Sequence, residues 1–360
     1  MGVSVSRGRT WGRLLAAGAL ATALSVSLVA CGDDGGGTAK PGANGGKPEK
    51  ASITVTYGSD SASTAPLWIA ADEGFFAKHG LTVKVVHGTS SVGAIATVSG
   101  AADIFLGEAT TSFQAVSRNQ PLEIVGALRK LSDFKLYVRP DITNVEQLKG
   151  KKVAISAAGD SSDMATRQAF TELKSSTDGM TLLPTGNSSN RVAALTTGRV
   201  SATLLTEPSA TKAKKAGMRE MLDQTDKPFL GSGITIANKF GKSNPNTVVA
   251  FIESLVDSIH WLQDKANKDA AMKVISKWQA KPIDDPDVVR GYNTYSTPGE
   301  LQMDPTPDAA AGQAMVTGLK AMDAKAYANL ELDKVYNLTF VKAIEDSGYL
   351  TKVWGDKLKS

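Results

Sequence analysis

The sequence predicts an α/β protein of two lobes, each built on a mainly parallel sheet. Three observations point there: a strand–loop–helix pattern that recurs, a near-constant offset between its copies, and an exported part of about 310 residues, too long for one comfortable core.

The first copy opens with Ile53-Thr-Val-Thr-Tyr57, a β-branched run that reads as a strand, then Gly58-Ser-Asp60-Ser61 and a helix. Val153-Ala-Ile-Ser-Ala-Ala-Gly-Asp160-Ser161 repeats that layout 100 residues later. The stretches 88–108 and 186–207 match at an offset of 98. Each has a glycine–serine loop, a short helix, a glycine stop (Gly100, Gly198) and a strand ending in an acid (Glu108, Glu207). Strands alternating with helices imply parallel pairing. Ligands of such sheets collect beyond the carboxyl ends of the strands, at helix N-termini. Facing lobes therefore bring Asp60, Ser61, Thr89, Ser90 and Glu108 toward Asp160, Ser161, Ser188, Ser189 and Glu207.

The stretch "SASTAPLWIAADEGFF", residues 61–76, gives a second pointer. Pro66 suits a first helical turn, and one hydroxyl suffices to cap it. Ser61, Ser63 and Thr64 exceed that need, so the surplus hydroxyls are expected to line a cleft.

At the N-terminus, Arg7, Arg9 and Arg13 precede an apolar run over residues 14–30 that ends Leu28-Val29-Ala30-Cys31-Gly32. A basic segment, a short apolar segment and a small-residue cleavage site make a secretory signal. Leu-x-Ala-Cys resembles a bacterial lipobox, which would make Cys31 the lipid-bearing first residue of the mature chain. Residues 31–51, rich in Gly, Pro, Lys and Asp, read as a flexible tether. Cys31 is the single cysteine, so the domain has no disulfide and no cysteine metal site. Removing residues 1–30 takes away three arginines and no acid, so the formal net charge falls from +4 to +1. Nothing remains to drive nucleic-acid binding.

Beyond residue 232 the chain reads as helices: 245–265, 268–278, 284–295, about 308–328 and about 332–347. Val248, Ile252, Leu255, Ile259 and Leu262 recur at helical spacing, a core stripe.

At Pro66-Leu-Trp68-Ile-Ala70, Gly74-Phe75-Phe76, Gly80 and Val83 the chain resembles the extracytoplasmic solute-binding proteins of ABC importers, in the branch for nitrate, sulfonate, taurine and thiamine-precursor uptake. Gly100-Ala-Ala-Asp103, Leu148-Lys-Gly150-Lys-Lys-Val153 and Glu207-Pro208 extend the resemblance over residues 52–350. It implies the two-lobed periplasmic-binding-protein type II fold, the "Venus flytrap". The first lobe would hold residues 52–138 and 232–360 and the second 139–231, with crossings within 134–139 and near 229–233.

The candidate ligand-binding residues of the first lobe are Ser59, Asp60, Ser61, Trp68, Thr89, Ser90, Glu108, Thr110 and Arg129. Those of the second are Asp160, Ser161, Ser162, Ser188 and Glu207, with Arg191 at a helix start as a further positive group. Asp60 and Asp160 suit helix caps as well as ligand contacts. Trp68 suits the lobe core as well as stacking on a planar ring. Helix N-termini favour an anion such as sulfonate or nitrate, whereas Glu108 and Glu207 favour an amine or an aminopyrimidine. The partners implied are a small-molecule solute, an ABC permease with its ATPase, and the lipid bilayer, at the outer face of the cell membrane, reached through lipidated Cys31; the chain itself is expected to be monomeric. No cofactor and no metal are expected, because His79, His87 and His260 are scattered. An enzyme is not expected either, since a pyrimidine-forming relative of this fold would need a cofactor-bearing lysine and a reacting histidine. A ligand-sensing surface receptor is the other use of the same fold.

Overall fold

The computed structural model describes residues 46–359. The expected export signal, the lipid-bearing Cys31 and most of the tether lie outside the described residues.

The first sheet contains β1 (Ser52–Tyr57), β2 (Thr82–His87), β3 (Ile104–Gly107), β4 (Leu122–Leu131) and β10 (Pro228–Ala237), in the order β2-β1-β3-β10-β4. Ile53, Val55 and Tyr57 of β1 turn one fully buried face to the core, the period of two expected of a strand. The second sheet contains β5 (Lys135–Val138), β6 (Lys152–Ile155), β7 (Thr181–Pro184), β8 (Ala202–Leu205) and β9 (Arg219–Asp223), in the order β7-β6-β8-β5-β9. The repeat in the sequence is thus a repeat of structure. β1, β2 and β3 correspond to β6, β7 and β8, and they start 100, 99 and 98 residues apart.

Both sheets are mixed in the same way. β1 runs parallel to β2 and β3, and β6 runs parallel to β7 and β8. β10 is antiparallel to β3 and β4, and β5 is antiparallel to β8 and β9. A chain arriving from the other lobe enters at the carboxyl edge of the parallel strands, so it must run against them. The crossings occupy residues 132–134 and 224–227, several residues before the expected 139 and 231. Lys135 to Val138 pairs with β8, which places it in the second sheet, and Pro228 already pairs with Leu131 in the first. The two crossings lie side by side: the Ser132 amide donates to the Lys227 carbonyl (2.9 Å) and the Gln224 amide to the Phe134 carbonyl (3.1 Å).

The C-terminal helices Pro245–Gln263, Lys268–Gln279, Pro286–Tyr295, Ala309–Met322 and Thr339–Asp346 follow the expected order. The last two are shorter than the sequence pattern suggests, with a 3-10 turn, Leu332–Lys334, between them. Val248, Ile252, Leu255, Ile259 and Leu262 are all 1% exposed or less and join the first-lobe core. Among the described residues, no helix is long and apolar enough to cross a membrane. The helix Ala309–Met322 bridges the lobes, with Met315 and Leu319 packed in one cluster with Met164 of the second lobe. Beside it the Gln114 side-chain amide donates to the Gly159 carbonyl at 2.5 Å. Gly159 has φ +77°, and a Cβ there would meet Gln114 Nε2 at 2.7 Å, so the contact requires glycine.

The exit from the tether is fixed. Glu49 accepts from the amides of Asn246 and Thr247, at 3.1 and 3.0 Å, at the start of Pro245–Gln263, and Lys50 pairs with Asp103 at 2.7 Å. A carboxylate at a helix N-terminus satisfies free N–H groups and meets the positive end of the dipole.

Behind the first lobe, His79 sits between Glu253 (3.2 Å) and Asp257 (3.0 Å), while Lys78 and Tyr349 also bond Asp257. Burial opposes the imidazolium, but Asp257 and Glu253 outweigh it and raise the His79 pKa above 6.5. Burial likewise opposes ionised Asp257, but His79, Lys78 and Tyr349 hold its pKa down to about 2. A raised pKa gives stabilisation that is complete below 6.5 and fades as pH rises through the folded-state value. A lowered one gives stabilisation complete above 3.8 that fades as pH falls toward 2. The melting-temperature gap between wild type and His79→Gln is therefore expected to be wide near pH ~5 and narrow near pH ~8. A gap that widens with pH in thermal melts would contradict this linkage.

Candidate functional site

Between the carboxyl ends of the two sheets lies a cavity of about 530 Å³. Its walls come from the segments that follow β1, β3, β6, β7 and β8, and from β4, the first crossing, the start of β10 and the helix Pro286–Tyr295. That is the place an open α/β sheet offers a ligand.

Ser59, Asp60, Ser61, Glu108 and Arg129 line it from the first lobe, and Asp160, Ser161, Ser162, Ser188 and Glu207 from the second. Ser63 and Thr64 line it as well. The excess of hydroxyls has a local logic. Ser61 caps the 3-10 turn Ala62–Thr64 by accepting from the Ser63 amide, and Thr64 donates to the Ser59 carbonyl at 2.9 Å. The turn thereby delivers the chain to the cleft before the helix Ala65–Asp72 begins.

Four of the candidates are elsewhere. Trp68 is 0% exposed, stacked on Trp278 with ring centres 6.1 Å apart and edge-on to Tyr57, so it belongs to the lobe core. Thr89 caps the helix Ser90–Ser99, accepting from the Val92 amide at 3.3 Å. Ser90 packs over Gly58, where a Cβ would collide with its Oγ, so its hydroxyl faces the end of β1 rather than the cavity. Thr110 is buried one layer behind the wall and shares a hydrogen bond with Ser161 Oγ at 3.1 Å.

The acids differ in their duties. Asp160 caps the helix Ser161–Glu172, accepting from the amides of Ser162, Asp163 and Ala157 and from the Ser156 hydroxyl. Asp60 caps nothing; it is exposed and pairs with His87 at 3.1 Å. Glu207 accepts from the Thr211 amide and hydroxyl, and its Oε2 is 3.9 Å from Arg290 Nε across the cleft. Glu108 accepts the Ser161 hydroxyl, a bond between lobes. Burial pushes the Glu108 pKa up against the opposing effect of that bond, and the charges of Asp160 and Asp133 raise it further.

Two buried arginines face the same space. Arg129 is 6% exposed, pairs with Asp133 at 2.8 Å and lies 5.7 Å from the Tyr295 ring centre. Burial works against its charge, but Asp133 and Tyr295 outweigh it and raise the pKa. Its Nε is buried without a partner. Arg191 is 4% exposed and bonds only neutral acceptors: the carbonyls of Leu204 (3.3 Å) and Gly186 (2.7 Å) and Ser188 Oγ (2.9 Å). Burial lowers its pKa to about 10, against the charges of Asp160 and Glu108, which raise it.

Sequence reasoning missed a rim contributed from far along the chain. Asp287 pairs with Lys281 (2.5 Å) and Arg290 (2.9 Å) on its own lobe and with Lys212 (3.2 Å) of the other. Asp133, Phe134, Phe229 and Tyr295 also line the cavity unforeseen. The one local signal was the charged pair Asp287 and Arg290, three residues apart on an otherwise half-apolar helix. Among the described residues, no group of His, Cys, Asp and Glu is arranged to hold a metal ion.

A family model described as NMT1/THI5 like matches residues 61–268. No curated protein matches the chain. Among solved structures, the periplasmic aliphatic sulphonate-binding protein SsuA of Escherichia coli is similar at TM-score 0.65 and 16% identity, over 82% of this chain and 92% of that one. The periplasmic nitrate-binding protein NrtA of Synechocystis PCC 6803 is similar at TM-score 0.64 and 15% identity, over 87% and 92%. A protein of Bordetella bronchiseptica reaches TM-score 0.68 and 22% identity, over 84% and 99%. These likenesses show the periplasmic-binding-protein fold.

Placing Trp68 in the core has a measurable consequence. Trp68→Ala should destabilise the protein by about 3–5 kcal/mol in urea unfolding, through the cavity it leaves. The fraction that remains folded should bind solute with unchanged affinity; a selective loss of binding would return Trp68 to the site.

Proposed function

The chain belongs to the NMT1/THI5-like family, and from that premise we propose that it is the extracytoplasmic substrate-binding component of an ABC importer. It closes its lobes on a small organic solute, of the sulfonate, nitrate, taurine or thiamine-precursor kind, and hands it to a membrane permease whose ATPase supplies the energy. The observation that carries this reading is the cavity of about 530 Å³ walled by both lobes, in the size range of small-molecule sites. Capture by closure around such a cavity is what two lobes joined by paired crossings are built to do.

The pyrimidine-forming alternative finds no reacting histidine here. His79 is tied up between Glu253 and Asp257, His260 packs edge-on against Trp354, and His87 pairs with Asp60 outside the cavity lining. We therefore read the chain as a binding protein rather than an enzyme. It would act as a monomer, since the two lobes of a single chain suffice to wall the cavity. A lipid on Cys31 would hold it at the outer face of the cell membrane.

A thermal-shift screen of the full chain against sulfonates, nitrate, aminopyrimidines, flavins and aromatic acids tests capture. A ligand at a hundred times its Kd should stabilise the fold by about 2.7 kcal/mol. Silence across that panel, with uptake unaffected in cells lacking the chain, would sink the reading. Anchoring is tested separately: Cys31→Ala should move the protein from the membrane fraction to the medium, and full retention would refute lipidation.

A further inference from the structure

Resting on solute capture, we propose that the solute is amphoteric, with an anionic group held by Arg191 and an ammonium or ring N–H held by Glu108. The observation behind it is which charges in the cavity wall already have partners. Asp60, Asp133, Glu207 and Asp287 each face a basic group within 4 Å: His87, Arg129, Arg290 and Lys281. Among the described residues, Glu108, Asp160 and Arg191 have no oppositely charged partner at that range. Asp160 spends its oxygens on its own helix start and on Ser156. Glu108 and Arg191 remain, one from each lobe, both lining the cavity.

Each has capacity to spare. Glu108 accepts Ser161 on Oε2 alone, leaving Oε1 without a donor among the described residues. The Arg191 guanidinium carries five N–H donors and commits three of them to neutral acceptors. A charge buried without a counter-charge is costly, and removing one member of a buried pair costs more than the pair gains. A solute with only an anionic group would satisfy Arg191 while lying against Glu108. A solute with only a cationic group would satisfy Glu108 and leave Arg191 bare. A solute with both groups satisfies the two walls at once, and only when the lobes are together. Burial raises the Glu108 pKa and lowers that of Arg191, so each charge is costly where it stands, although Asp160 and Glu108 offset part of that cost at Arg191.

The test is calorimetry on the full chain with two matched sets: ethanesulfonate, ethylamine and 2-aminoethanesulfonate, and benzoate, benzylamine and 4-(aminomethyl)benzoate. In at least one set the two-ended probe should bind about tenfold or more tighter than either one-ended analogue, the scale of one desolvated charged contact. Glu108→Gln should remove that advantage by weakening the two-ended probe, while the acid-only probe, relieved of the facing carboxylate, should bind more tightly. Acid-only probes that bind as tightly as the two-ended ones would overturn the proposal and leave solute capture standing. Binding by none of the six would also overturn it, and the wider panel of sulfonates, nitrate, aminopyrimidines and flavins then decides capture by itself. The wild-type comparison needs no variant, so a Glu108→Gln chain that fails to fold does not protect the idea.

Discussion

Two short crossings, 132–134 and 224–227, hold the carboxyl edges of two sheets opposite one another, and the remaining features of the cleft depend on that placement. Because the chain changes lobe at the edge where the parallel strands end, β5 and β10 enter their sheets backwards. Because the strand-to-helix turns sit at the same edge, serines, acids and helix N-termini from both lobes meet across one space. The hydrogen bonds between the crossings tie them to each other, so they act as one joint.

The cleft between them is a place of managed charge. On the rim, Asp287 gathers Lys281, Arg290 and Lys212, and Glu207 approaches Arg290; these are partly exposed links of modest individual worth. Arg129 is buried and paired with the half-buried Asp133, and Tyr295 covers the guanidinium. Among the described residues, Glu108 and Arg191 line the same cavity without an ion-pair partner. A site that leaves some of its own charges without a counter-ion can have them completed by what it encloses.

Much of this was legible in the residues. The strand–loop–helix repeat survived because each copy must bury the same kind of face, and β1 to β3 reappear as β6 to β8. The hydroxyl-rich approach to Pro66 also pointed correctly at the cleft. Trp68 was ambiguous for a physical reason: residues 65–70 are buried without interruption, so the helix has no solvent face from which to read its orientation. Asp60 and Asp160 both read as caps or contacts; both line the wall, but only Asp160 caps its helix, while Thr89, read as a contact, is a cap outside the wall. The rim residues Lys281, Asp287 and Arg290 were illegible because nothing local ties a helix near the C-terminus to a loop over two hundred residues earlier.

The docking of Glu49 on the first turn of Pro245–Gln263 bears on mechanics. Any pull arriving along the chain from upstream passes through Glu49 and Lys50 into the first lobe, by way of Thr247 and Asp103. The second lobe is joined to the first covalently by the two crossings alone, and otherwise by side-chain contacts such as Lys212–Asp287. A force applied at residue 46 would therefore drag the first lobe directly and would not act across the mouth of the cleft.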